Sequence, residues 1–230
     1  MQEENTNEID SYDFEIIPLL REAFSRTYGV KWNFMGAIII YVIIALIAGA
    51  ILEVIFPADI AEYNKQISSF LTVPFTLPIM IGITMLGIKQ ARGNSLDIPS
   101  VLNYFPYLLP ILLSYIAMTI MLFIGFMLLI LPGIYLAVSY SFTYALVVDK
   151  GLGVWEAMEL SRKTVTQQWL KFFGLALLCG LIIMISVIPF GIGLIWSIPT
   201  LYISYGLLYH HLFDDENEEE EREFIEGDLE

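Results

Sequence analysis

The chain has 230 residues, 57% of them hydrophobic, with a mean hydropathy of +0.69. Its 25 acids against 11 Lys and Arg give a formal charge of −14. Such a composition excludes an ordinary soluble domain, and no nucleic acid is expected as a partner. The acids are concentrated at the ends: six in residues 1–15, and eleven, with one Arg, in 214–230. This predicts an acidic N-terminal segment (1–13), a near-neutral membrane domain (14–213) and an acidic, disordered C-terminal tail (214–230). The start "MQEENTNEID" is acidic where a signal peptide is basic. The single Cys179 excludes a disulfide framework.

Along the chain, Leu20, Phe24 and Tyr28 form an apolar stripe, with Pro18 acceptable in a first helical turn. The uncharged runs Trp32–Leu52 and Gln66–Ile88 are each one span long and predict helices over about 32–55 and 70–88. "LDIPSVLNYFPY" is a second short amphipathic segment. Ile98–Val148 then runs for 51 residues without a charge. As one helix it would be roughly 75 Å long at ~1.5 Å per residue, against a hydrocarbon core of about 30 Å. Pro132-Gly133 is the predicted turn, since proline removes a helical donor and glycine frees the backbone. Helices are therefore predicted over about 107–131 and 133–149.

"GVWEAMELSRKTVTQQW" reads as a third amphipathic helix. Val154, Met158, Ser161, Val165 and Trp169 share one side, with Glu156, Glu159, Lys163 and Gln167 opposite. The last run, Phe172–Phe213, breaks at Pro189–Gly193 into helices over about 170–188 and 194–212. Backbone amides cannot go unpaired in lipid, so each spanning piece is a helix. The predicted fold is an all-α membrane protein: six transmembrane helices in three hairpins, each preceded by a cytoplasmic amphipathic segment. Placing both termini in the cytoplasm puts ten Lys and Arg inside and only Lys65 outside, as the positive-inside rule requires.

The second helix of each hairpin carries an early proline (Pro78, Pro132, Pro199). In the last two, Tyr135 and Tyr202 follow three residues later, and Ser139 and Gly206 seven later. Chance likeness among apolar helices is the alternative to a true repeat.

No ionisable group falls near a span centre: Glu53, Asp149 and His210–His211 all sit at helix ends. The paired histidines lack the further ligands of a metal site. No HExxH, GxSxG or phosphate-binding glycine loop is present. No catalytic residue, cofactor or metal is therefore assigned. One polar stripe remains. Tyr135, Ser139 and Thr143 fall at i, i+4 and i+8 on one helical face, and Tyr202, Ser204 and Tyr205 cluster on the last helix. They can line a cavity for a lipid headgroup or small amphiphile, or serve as hydrogen-bonding contacts between helices.

The string from Leu131 to Leu178 resembles the core pattern of a bacterial superfamily of six-helix membrane proteins. That superfamily includes YciC-like proteins and the membrane domain attached to some glycerophosphoryl diester phosphodiesterases. The resemblance is carried by Pro132-Gly133-Ile134-Tyr135, Glu156-Ala157, Ser161, Trp169 and Phe173-Gly174. It covers about residues 95–212 and implies a prokaryotic inner-membrane location without an established reaction. The soluble phosphodiesterase domain is absent, so that activity does not carry over.

The leading expectation is a non-enzymatic scaffold or accessory protein among membrane lipids. It would bind partners through its cytoplasmic amphipathic helices and its acidic tail, the tail docking a basic protein partner at the cytoplasmic face through Phe224 and Ile225. The alternative is a small carrier or channel-like protein for a lipid or apolar solute, held between the fourth and sixth helices. A polar-lined cavity reaching mid-membrane distinguishes the two.

Overall fold

The computed structural model describes residues 13–55 and 61–214, with backbone alone over 61–70. The described residues are helical, with no strand: α1 (Ile16–Arg26), α2 (Lys31–Ile55), α3 (Ala61–Ala91), a 3-10 segment (Ile98–Tyr107), α4 (Leu108–Leu128), α5 (Ile130–Ser139), α6 (Thr143–Asp149), α7 (Val154–Gln167), α8 (Trp169–Val187) and α9 (Leu194–Phe213). Among the described residues, five stretches are long and apolar enough to cross a membrane: Lys31–Ile55, Leu71–Ala91, Ile98–Leu128, Ile130–Asp149 and Trp169–Val187. These are the helices of a multi-pass membrane protein. In α9, two Ser, one Thr, three Tyr and two His interrupt the apolar sequence. Its neighbours explain how it tolerates them: α1, α2, α3 and α8 all pack on it, and a helix covered by others need not be apolar all round.

At the centre α3 and α9 touch backbone to backbone. A Cβ on Gly206 would lie 2.2 Å from the Gly87 carbonyl oxygen, and one on Gly87 would lie 2.0 Å from that of Tyr202. Only glycine permits this approach.

Three sequence expectations need correction. The reversal between α4 and α5 is at Leu129, whose backbone is extended, and not at Pro132-Gly133. Pro132 lies in the first turn of α5, where its missing N–H breaks no helical bond. Gly133 instead provides contact with α4: a Cβ there would lie 2.4 Å from the Phe126 ring. Next, the helix expected over 133–149 is interrupted at residues 140–142. Third, the boundary with the acidic tail falls after Asp214, which is 13% exposed and ion-paired to the bundle. At the other end Asp13 pairs with Lys171 and Phe14 is buried against Phe172, so both belong to the body.

The amphipathic segments α1 and α7 are packed into the bundle. Leu20 and Ala23 of α1 are buried, as are Ala157, Met158, Ser161, Thr164 and Val165 of α7. The middle segment is a 3-10 helix rather than α, with Pro99 near its start and Pro106 inside it.

Candidate functional site

The interruption at 140–142 organises the interior. "SYSFTY", residues 139–144, packs five hydroxyl-bearing residues of low helix propensity around Phe142, and such side chains compete with helical backbone bonds. The Ser141 amide bonds the Val138 carbonyl at 3.2 Å, so the Ala137 carbonyl loses its helical partner. Side chains from elsewhere take up other exposed groups. Ser161 of α7 accepts the Phe142 amide at 3.1 Å and donates to the Ser139 carbonyl at 2.7 Å. Tyr205 of α9 donates to the Ser141 carbonyl at 3.1 Å. Phe142 itself is 1% exposed, ringed by Phe172, Tyr205, Tyr209 and Phe213.

Beside this break lies a cavity of about 660 Å³, within the usual range for small-ligand sites. It is bounded by residues of α2, α3, α4, α5, α6, α8 and α9 and by the 140–142 turn. Met118 of α4 and Ile198 to Tyr205 of α9 sit near the middle of their helices. Five tyrosines face it, Tyr41, Tyr140, Tyr144, Tyr202 and Tyr205, together with Thr84 and Ser141. None of its lining side chains carries a charge at neutral pH. Phe34 stacks on Tyr202 with ring centroids 6.1 Å apart and holds one side of the wall.

Of the polar stripes read from sequence, Tyr202 and Tyr205 line the cavity. Ser139 and Thr143 are fully buried and away from it, and Ser204 is 2% exposed, donating to the Thr200 carbonyl. Tyr135 meets α7 and the start of α8 instead, with its hydroxyl 2.7 Å from that of Thr166 and its carbonyl accepting from Trp169. Pro132 and Gly133 are turn-adjacent packing residues, as above. Phe224 and Ile225 lie outside the described residues. The residues missed were Tyr140, Ser141, Tyr144, Tyr41 and Thr84. A continuous helix puts 135, 139 and 143 on one face, but the break turns 140, 141 and 144 inward. The crowded hydroxyls of 139–144 were the available signal.

A second polar cluster ties together the ends of three helices. Arg92, just past α3, grips Asp149 through Nη1 and Nη2 at 2.9 and 2.5 Å. It also reaches Asp214, just past α9, through Nε at 2.7 Å and Nη2 at 2.9 Å. Lys150 adds a 2.8 Å bond to Asp214, and Tyr209 donates to Asp149 at 3.0 Å. Burial tends to raise the Asp214 carboxyl, but the hydrogen bonds from Arg92 and Lys150 hold it below the usual carboxylate range. The Asp149 hydrogen bonds raise the Arg92 guanidinium further above its ordinary value, against burial. Among the described residues no three His, Cys, Asp or Glu side chains converge as metal ligands.

No protein-family model matches this chain, and neither a curated protein nor a solved structure matches it.

Proposed function

We propose that this chain is a membrane-embedded binding or carrier protein that holds a lipid or apolar solute in the cavity beside the helix break, without covalent chemistry. The observation that carries the reading is the cavity: an uncharged, hydroxyl-studded space near the middle of α4 and α9. Its main walls are α3, the α5–α6 unit and α9, which include the two elements between which a carrier is expected to hold its cargo. It also opens sideways, since Met80 and Ile183 of its wall are 44% and 38% exposed.

The same proposal places six helices in three hairpins across a prokaryotic cytoplasmic membrane, with both termini cytoplasmic. The Lys and Arg distribution supports it. So do the ion pairs at both ends of the described chain, which join Asp13 to Lys171 and Asp214 to Arg92 and Lys150. All five basic and acidic partners fall on segments assigned to the cytoplasmic side. The resemblance to the six-helix bacterial superfamily fits this arrangement.

The competing reading is a scaffold whose acidic tail docks a basic partner through Phe224 and Ile225, residues outside those described. Its support is the eleven acids in residues 214–230. The apolar faces of α1 and α7, the other surfaces it drew on, are occupied within the bundle.

Native mass spectrometry of protein released from its own membrane separates the two. The carrier reading expects a lipid-sized adduct on the wild type, lost in the cavity-filling variants Ala137→Phe and Ile198→Trp at unchanged melting temperature. A wild type carrying no adduct beyond the bulk membrane lipids contradicts it.

A further inference from the structure

We infer that the cavity selects an uncharged chain amphiphile ending in a hydroxyl, a long-chain alcohol or acylglycerol, over a fatty acid or a plain hydrocarbon. This rests on the cavity reading above and adds the chemical class of the ligand. Two features of the wall carry it.

The first is the balance of polar groups without charge. Every polar side chain facing the space is a hydroxyl, from Tyr, Thr or Ser, and no Lys, Arg or His lines it. An ionised carboxylate placed there would lose its hydration and meet no counter-charge, which is the costly case in low dielectric. The basic groups of the neighbouring cluster, Arg92 and Lys150, are already committed to Asp149 and Asp214.

The second is the supply of both donors and acceptors at one place. The break leaves the carbonyl of Ala137, a residue of the wall, without its helical partner, which has moved to Val138. The Tyr205 hydroxyl donates its proton to the Ser141 carbonyl, which leaves the phenol oxygen as an acceptor. Tyr140 and Tyr144 bring further hydroxyls to the same wall. A ligand hydroxyl both donates and accepts, so it matches this mixture. A carboxylate only accepts, and an alkane leaves buried polar groups unpaired. The chain would leave past Met80 and Ile183, the open side of the wall, into the surrounding hydrocarbon.

The test uses three photoreactive probes of equal chain length in liposomes of neutral lipid: a hexadecyl alcohol, the matching fatty acid and the matching alkane. At pH 7.5 the alcohol is expected to label residues 137–144 and 198–205 at least tenfold more than the acid and several-fold more than the alkane. Tyr205→Phe should cut the preference for alcohol over alkane to about a third or less. Because Tyr205 also supports the break, Thr84→Val is run beside it, and both must melt as the wild type does. Thr84→Val should reduce the same preference. Equal labelling by alcohol and acid overturns the exclusion of charge. Equal labelling by alcohol and alkane overturns the role of the hydroxyl and leaves the binding reading standing. No labelling of these segments by any probe overturns the binding reading itself.

Discussion

The Ser161 hydroxyl donates to the Ser139 carbonyl at 2.7 Å and, from the same oxygen, accepts the Phe142 amide. One side chain from α7 thereby satisfies two backbone groups that the break in the α5–α6 unit would leave unpaired in an apolar interior. Ser161 is fully buried, so water cannot replace it. Ser161→Ala is expected to cost ~1–3 kcal/mol, the usual range for orphaning buried polar groups. Thermal unfolding in detergent measures this. An unchanged melting temperature would mean the break is held by other contacts.

The Gly87–Gly206 contact gives a second, sharper expectation. Gly206→Ala must push α3 and α9 apart, because the new Cβ meets backbone and not a movable side chain. Overpacking of this kind costs about 1–3 kcal/mol or more. Gly180→Ala is the matched control: it lies within α8 and a Cβ there meets nothing within 4 Å. That change should be neutral or stabilising by about 0.5–1 kcal/mol through helix propensity. Equal destabilisation by the two variants would argue against the close crossing.

Much of this architecture was legible in the sequence, and the reasons are physical. Uncharged runs of span length leave little choice but helices, so α2, α4 and α8 were placed within a few residues. The break between α8 and α9 was marked by Pro189 and its glycines, and Gly191 does adopt a positive φ of 77°. Pro132-Gly133 misled because proline is equally at home in a first helical turn, and sequence alone does not say which role it takes. The cavity was half legible. Tyr202 and Tyr205 were named from α9, which is continuous over that stretch, whereas the α5–α6 face was assigned from a helix that in fact breaks. The Arg92–Asp149–Asp214 cluster was not legible, since its members lie 57 and 122 residues apart and only the fold brings them together.

That cluster predicts a pH dependence. The folded-state carboxyl of Asp214 is depressed, so its contribution is present above the ordinary Asp range near ~4 and lost as pH falls through the lower folded value. The melting temperature should therefore drop on acidification below about pH 4, with a shallower drop in Asp214→Asn. A variant as acid-sensitive as the wild type would remove Asp214 from the account.

Arg92 holds both carboxylates, so its loss should be felt more than that of either acid. Arg92→Met is expected to cost ~1–3 kcal/mol, less than the ~3–5 of a fully buried pair, because its side chain is 26% exposed. Arg92→Lys should recover only part of this, since an ammonium lacks the fork that reaches two carboxylates. Denaturation of the three proteins at pH 7 gives the ranking, and full recovery by lysine would show that charge alone matters.

The central claim is that the space beside the helix break is a ligand site. A high-resolution density map of the wild-type protein in a nanodisc made from its native membrane lipids tests it most directly. The account predicts an elongated non-protein density bounded by Tyr140, Tyr144, Tyr202 and Tyr205, with one end within hydrogen-bonding distance of the Ala137 carbonyl or the Tyr205 hydroxyl. A space closed by inward-packed side chains, with α5–α6 and α9 in direct contact across it, would contradict the claim.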